Sequence, residues 1–269
     1  MQDLNIAYLQ TALHWEDSTA NHKHFDVLLE QQKQHNHLIV LPETFTTGFP
    51  VDPHVFAETI DGPSVQWMRE KATQFQSVIC GSLLISEGGK YYNCLVWMRP
   101  DGSFERYHKR HVFRMGGEHE RIEAGDALLH VELNGWKIRP LICYDLRFPV
   151  WSRNKVEQGV FDYDLLIYVA NWPKVRAWPW KQLLIARAIE NQAYVLGVNR
   201  VGKDGLGFDY NGDSALLDAK GMYVSQAYAE KECLVETTAN HAELLVFRDK
   251  FNTSLDWDGF NILHLPVDS

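Results

Sequence analysis

Little in this chain can serve as a disulfide framework, a membrane span or a basic nucleic-acid face. Its 269 residues include only four cysteines, Cys80, Cys94, Cys143 and Cys233, widely spaced and with no C-x-x-C pair. So few thiols in so long a chain argue against structural disulfides and leave free cysteines. Apolar runs are interrupted by charges or amides well short of the ~18 residues that a membrane-crossing helix needs. The first residues, Met1 to Leu9, have neither the basic start nor the apolar stretch of a secretory signal, so a cytoplasmic protein is expected. Basic residues are also in deficit. Lys and Arg number 26 against 35 Asp and Glu, a formal charge of -9, which excludes a general nucleic-acid binder.

What the chain does have is core-forming material: 45% apolar and 12% aromatic residues, enough for a sizeable interior. No repeat, low-complexity tract or Pro/Gly/Ser linker divides it, so residues 1–269 read as one domain. Leu4 to Leu9 reads as a strand, and Asp17 or Ser18 caps a helix running to about Gln34. The aliphatic run Leu38-Ile39-Val40-Leu41 suits a strand buried on both faces, and Pro63 opens a helix. Two strands, Ser77 to Ile85 and Lys90 to Met98, flank a hairpin turn at Gly88-Gly89. Another pair, Leu128 to Leu133 and Lys137 to Cys143, flanks Asn134-Gly135. Leu165 to Val169 is a strand, Trp178 to Asn191 a helix and Tyr194 to Asn199 a strand. Further strands, Asp213 to Leu217 and Glu232 to Glu236, precede a helix near Ala239 to Phe247. Helices alternating with strands, interleaved with this many hairpins, predict an α/β protein with two mixed sheets and helices outside.

Three of these segments deliver a reactive side chain at the mouth of a buried strand, where a sheet holds backbone rigid and sites form. Glu43 follows the aliphatic run and Pro42; a carboxylate partly desolvated there can accept a proton. Lys109 lies in the basic cluster Tyr107-His108-Lys109-Arg110-His111. Such clusters are usually solvated faces, but a lysine beside a thiol stabilises a thiolate and an oxyanion. Cys143 ends the strand Pro140-Leu141-Ile142, directly before a polar turn and an expected helix. That geometry is the strand-to-helix elbow of hydrolase nucleophiles, and the helix start favours negative charge. Cys80, Cys94 and Cys233 lie inside strand patterns and read as packing.

In order along the chain, L-P-E-T-F at 41–45, H-K-R-H-V-F at 108–113 and I-C-Y-D-L-R-F-P at 142–149 resemble the glutamate, lysine and cysteine motifs of the nitrilase (carbon–nitrogen hydrolase) superfamily. The cysteine motif is the most specific. Supporting matches are Glu118, Trp180, Ala186-Arg187-Ala188, Glu190-Asn191 and Gly212-Asp213-Ser214. Phe247 to Phe251 resembles the end of the omega-amidase branch.

The resemblance implies a four-layer α-β-β-α sandwich of two mixed sheets, homodimers, and no metal or organic cofactor. It implies catalysis by Glu43, Lys109 and Cys143, with Glu118 orienting Lys109 and the backbone N–H of Tyr144 helping to hold an oxyanion. The implied substrate is a small amide that carries a carboxylate, 2-oxoglutaramate or 2-oxosuccinamate, hydrolysed through a thioester. Phe45, Phe113 and Trp172 are expected to line the cleft, and Arg114, Lys174 and Arg176 are candidates for the substrate carboxylate. Within the superfamily the alternatives are deaminated glutathione, carbamoyl compounds and simple aliphatic amides. Metal hydrolysis, prompted by His22-x-His24 and His35-x-His37, lacks an H-E-x-x-H or C-x-x-C partner. An inactive scaffold normally shows an altered nucleophile or base, and here both are intact.

Overall fold

The computed structural model describes residues 2–50 and 52–262. Along the chain come β1 (Leu4–Gln10), α1 (Ser18–Leu29), β2 (Leu38–Val40), α2 (Pro53–Phe56), α3 (Pro63–Phe75), β3 (Val78–Glu87), β4 (Lys90–Met98) and β5 (Phe104–His108). The second half carries β6 (Val131–Leu133), β7 (Trp136–Ile142), α4 (Pro149–Ser152), the small hairpin β8 (Val156–Glu157) and β9 (Val160–Phe161), β10 (Leu165–Ala170) and α5 (Ala177–Asn191). It continues with β11 (Tyr194–Asn199), a second hairpin of β12 (Val201–Lys203) and β13 (Asp209–Asn211), β14 (Ala215–Leu217), β15 (Tyr223–Gln226), β16 (Cys233–Ala239) and α6 (His241–Lys250).

Two six-stranded sheets result, in the orders β16-β1-β2-β3-β4-β5 and β15-β14-β11-β10-β7-β6. Each has three parallel strands at its centre and antiparallel strands outside: β1, β2 and β3 in one, β7, β10 and β11 in the other. Period-two alternation assigns the faces. Ile6 and Tyr8 of β1 join Ile138, Ile167 and Leu196 in the core between the sheets. Ala7 and Leu9 point the other way, onto Phe25 and Leu29 of α1 and Val65 and Met68 of α3. On the far side, Trp180, Leu184 and Ala188 of α5 cover the second sheet. Gly197 in β11 permits that approach, since a Cβ there would stand 2.6 Å from Leu184 and 2.8 Å from Trp180. Helix, sheet, sheet and helix make the expected four-layer α/β sandwich.

Both tight hairpins form where expected, at Gly88-Gly89 and Asn134-Gly135. Asp17 caps α1, accepting from the Ala20 N–H, but the helix stops at Leu29, five residues short of Gln34. Asn36 and the backbone of Lys33 and Gln34 instead bond to the Glu236 carboxylate on β16, which draws the chain out of the helix. No long helix follows Cys143 either. Residues Cys143–Arg147 form a 3-10 turn, and the helix after it lasts four residues from Pro149.

Candidate active site

Cys143, Glu43 and Asn171 all follow the C-terminal ends of parallel strands, β7, β2 and β10, and Lys109 follows β5. That shared rim is where side chains from separate strands converge. Cys143 sits at φ +42°, a left-handed conformation that costs a non-glycine residue energy and aims its side chain out of the strand direction. The turn is stapled from behind: Arg187 of α5 donates to the Leu146 carbonyl at 2.6 Å.

The pieces meet in one buried cluster. Lys109 Nζ lies 2.9 Å from Glu43 Oε1 and 3.1 and 3.0 Å from the two oxygens of Glu118. Asn93 Nδ2 donates to Glu43 Oε1 at 2.8 Å, and the Asn171 backbone N–H to Glu43 Oε2 at 2.7 Å. The side chain of Asn171 ties down the strand end itself, reaching the Glu43 carbonyl at 2.9 Å and Thr44 Oγ1 at 2.7 Å. Glu118 also accepts from the Phe113 N–H, so it fixes the loop after Lys109 as well as the ammonium. The Cys143 thiol donates to the Asn171 carbonyl at 3.9 Å and lies close enough to Glu43 and Lys109 for both to act on its charge.

Electrostatics follow from that crowding. Burial works against the charge on Lys109, but Glu118 and Glu43 outweigh it and hold the ammonium above its usual range. Burial and the facing Glu43 carboxylate push the Cys143 thiol well up, with Lys109 opposing. Burial also raises Glu118, although Lys109 pulls it back. The resting cysteine is therefore a neutral thiol with a carboxylate close by, the arrangement for base-assisted attack.

A cavity of about 380 Å³ opens onto this cluster. Glu43, Lys109, Cys143, Glu118, Tyr144, Phe113, Trp172 and Arg176 all line it. Three expectations fail. Phe45 is fully buried on the outer face of the first sheet, against Phe25 and Trp67, because Thr44 at φ +41° turns the chain between Glu43 and Phe45. Arg114 lies in a 3-10 turn and its side chain does not reach the cavity wall. Lys174 is half-exposed and ion-paired with Glu230.

Sequence reasoning passed over Arg147, Asn93, Asn171 and Asp145. Arg147 lines the cavity with its guanidinium 4.7 Å above the Trp172 ring, as Arg176 sits 5.3 Å from Phe113. Neither guanidinium ion-pairs with an acid among the described residues. The signal for Asn93 was present: a polar residue inside an apolar run must find a buried partner.

The family model described as carbon-nitrogen hydrolase matches residues 5–244. The omega-amidase YafV of Yersinia enterocolitica is 44% identical over 265 residues, covering 98% of this chain and all of that protein. The 2-oxoglutaramate amidase of Bacillus subtilis is 32% identical over 229 residues, 84% of this chain and 87% of its own. Among solved structures, XC1258 of Xanthomonas campestris, a superfamily protein crystallised with an arsenic adduct in its active site, superposes with a TM-score of 0.94 at 43% identity. That match covers 97% of this chain and all of the other. The chain belongs to the carbon–nitrogen hydrolase family.

Proposed function

We propose that the chain is an omega-amidase that releases ammonia from a small 2-oxo acid amide such as 2-oxoglutaramate. One observation carries the reading: a strained, rim-mounted thiol beside a buried carboxylate that is itself ion-paired with a buried ammonium at 2.9 Å. Relatives named for these amidase activities, similar over most of the chain, support the choice of substrate.

In this scheme Glu43 takes the Cys143 proton as sulfur attacks the amide carbon. Negative charge then collects on the former carbonyl oxygen, held by Lys109 and the Tyr144 N–H; such a donor is typically worth ~3–4 kcal/mol. Glu43 returns the proton to the departing ammonia, which leaves a thioester on Cys143. Water, deprotonated by Glu43, cleaves the thioester to the carboxylic acid and restores the thiol. Glu118 keeps Lys109 in place. Arg147 and Arg176, held over aromatic rings with no acidic partner among the described residues, supply the cationic wall for the substrate carboxylate. A homodimer is part of the proposal. The outer faces of α5 and α6 expose Trp178, Ile189, Leu245 and Val246, an apolar surface suited to a second copy. A cytoplasmic setting, where thiols stay reduced, suits such a nucleophile.

The test is ammonia release from a panel of 2-oxoglutaramate, 2-oxosuccinamate, glutamine, asparagine, deaminated glutathione and aliphatic amides. The 2-oxo acid amides should be preferred. Cys143→Ala and Cys143→Ser should lose activity on the order of 10⁴-fold or more while staying folded. Near-normal turnover by either variant removes the proposal.

A further inference from the structure

We propose that Asp145 is a positioning residue that sets the spacing between Lys109 and Cys143, the reading resting on the roles given to those two residues above. Asp145 is fully buried and touches neither the cavity nor the reacting atoms. Its carboxylate accepts four bonds. Oδ2 takes the Tyr107 hydroxyl at 2.7 Å and the Ile142 N–H at 3.1 Å. Oδ1 takes the His111 N–H at 2.9 Å and His111 Nδ1 at 2.8 Å.

The pattern of partners carries the argument. Tyr107 and His111 stand two residues to either side of Lys109. Ile142 precedes Cys143, and Asp145 lies two residues beyond it. A single carboxylate thus grips both flanks of the lysine and both flanks of the nucleophile. The two segments come from different sheets, β5 in one and β7 in the other, so no strand pairing fixes their distance. Further contacts stiffen the clamp. Trp151 Nε1 and the Arg110 N–H both donate to the Tyr107 hydroxyl, at 3.0 and 3.1 Å. The His111 ring stacks on Phe148, with centroids 3.7 Å apart.

The chemistry of the residue fits the task. All four partners donate, and only an ionised carboxylate accepts from four donors at once. An amide, in either orientation, would point N–H groups at a backbone N–H, that of Ile142 or that of His111. Among the described residues no lysine or arginine ion-pairs with Asp145, so its burial is costly and the hydrogen bonds have to compensate.

The experiment compares Asp145→Asn and Tyr107→Phe with the wild type, by steady-state kinetics on the preferred amide and by the pH dependence of Cys143 alkylation with iodoacetamide, read by mass. Asp145→Asn should lower kcat on the order of 10²-fold, the typical effect of a displacement near 1 Å, with KM within about twofold. Tyr107→Phe should act in the same direction by a smaller factor. The alkylation midpoint should rise in both, because Lys109, the group that favours the thiolate, loosens while Glu43 and Glu118 stay in place. The sign is diagnostic. Removing the charge of Asp145 without moving anything would shift the midpoint down, and Tyr107→Phe removes no charge at all. A folded variant with an unchanged or lowered midpoint, or with kcat within about twofold of wild type, overturns the assignment. Should Asp145→Asn fail to fold, Tyr107→Phe decides alone. Alkylation needs no substrate, so it tests Asp145 even if the substrate panel refutes the omega-amidase reading.

Discussion

Replacing Lys109 with methionine removes the one cation from a cluster whose three charged side chains are each no more than 2% exposed. The stem keeps its volume, so little packing is lost. What remains is two carboxylates facing the gap, with Asn93 donating to Glu43 at 2.8 Å and only weakly to Glu118 at 3.5 Å. Breaking a buried pair in this way typically costs ~3–5 kcal/mol. At ~2–4 °C per kcal/mol for a chain of this size, melting should fall by roughly 6–20 °C near pH 8. The penalty should depend on pH, and its sign follows from the site. Two carboxylates sharing a desolvated gap cannot both stay ionised, so one holds a proton in the folded variant at a pH where the unfolded chain has released it. A folded pKa above the unfolded value gives stability that is present at low pH and lost as pH rises through the folded value. The variant should therefore lie closer to the wild type at pH 5.5 than at pH 8. Adding Glu118→Gln removes the surplus charge and should restore much of the melting temperature without restoring turnover. Thermal denaturation of the four proteins of this cycle, at both pH values, is the assay. A Lys109→Met variant within ~1 kcal/mol of wild type at pH 8, or no rescue by Glu118→Gln, refutes the reasoning.

Glu43→Gln should abolish turnover yet speed alkylation of Cys143 at pH 8, since Glu43 is the neighbour that raises the thiol; slower alkylation would contradict this. Arg147→Met and Arg176→Met should raise KM for a carboxylate-bearing amide roughly 10-fold or more and leave a neutral aliphatic amide almost unaffected. Equal losses on both substrates would remove the arginines from recognition. Gly125→Ala should destabilise by ~3 kcal/mol or more and impair activity, because a Cβ there would sit 2.2 Å from the His108 carbonyl oxygen, beside Lys109. The backbone bond from the Gly125 N–H to the Lys109 carbonyl would go with it, and a melting curve that matches wild type would exclude the clash.

How far the sequence was legible depended on whether a signal was local. Leu38 to Leu41, the strand before Cys143 and the turns Gly88-Gly89 and Asn134-Gly135 announce themselves through burial pattern and turn chemistry within a few residues. They sufficed to find the two sheets and the rim where Glu43, Lys109 and Cys143 emerge. Failures came where distant chain decided. Phe45 is two residues from Glu43, but the left-handed Thr44 between them sends it to the opposite face. Lys174 and Arg176 are neighbours on one short turn; Glu230, far along the chain, claims the first and leaves the second to the cavity. The helix expected after Cys143 was limited by Pro149, which was visible, and by the bond from Arg187 to the Leu146 carbonyl, which was not. Asn93 differs again. It is a polar residue within an apolar stretch, and the question of what satisfies it leads straight to the reaction centre.

The short turn after Cys143 changes how the proposed nucleophile is made. A long helix pointing its N-terminus at sulfur would store a thiolate in the resting enzyme. Here the groups that surround Cys143 include a carboxylate, and burial and that carboxylate favour the neutral thiol over the pull of Lys109. In the proposed cycle the thiolate exists only as the bond to carbon forms. The proton goes to Glu43 while negative charge appears on the substrate oxygen, so the charge that leaves the carboxylate reappears a short distance away. Lys109, already 2.9 Å from Glu43, can follow that transfer without leaving Glu118. The buried site then carries the same net charge before and after attack, which avoids the large desolvation cost of creating a new charge inside the protein. A second buried carboxylate, superfluous for proton transfer, becomes intelligible on this account. Glu118 keeps the lysine charged and in place during the moment when Glu43 is neutral.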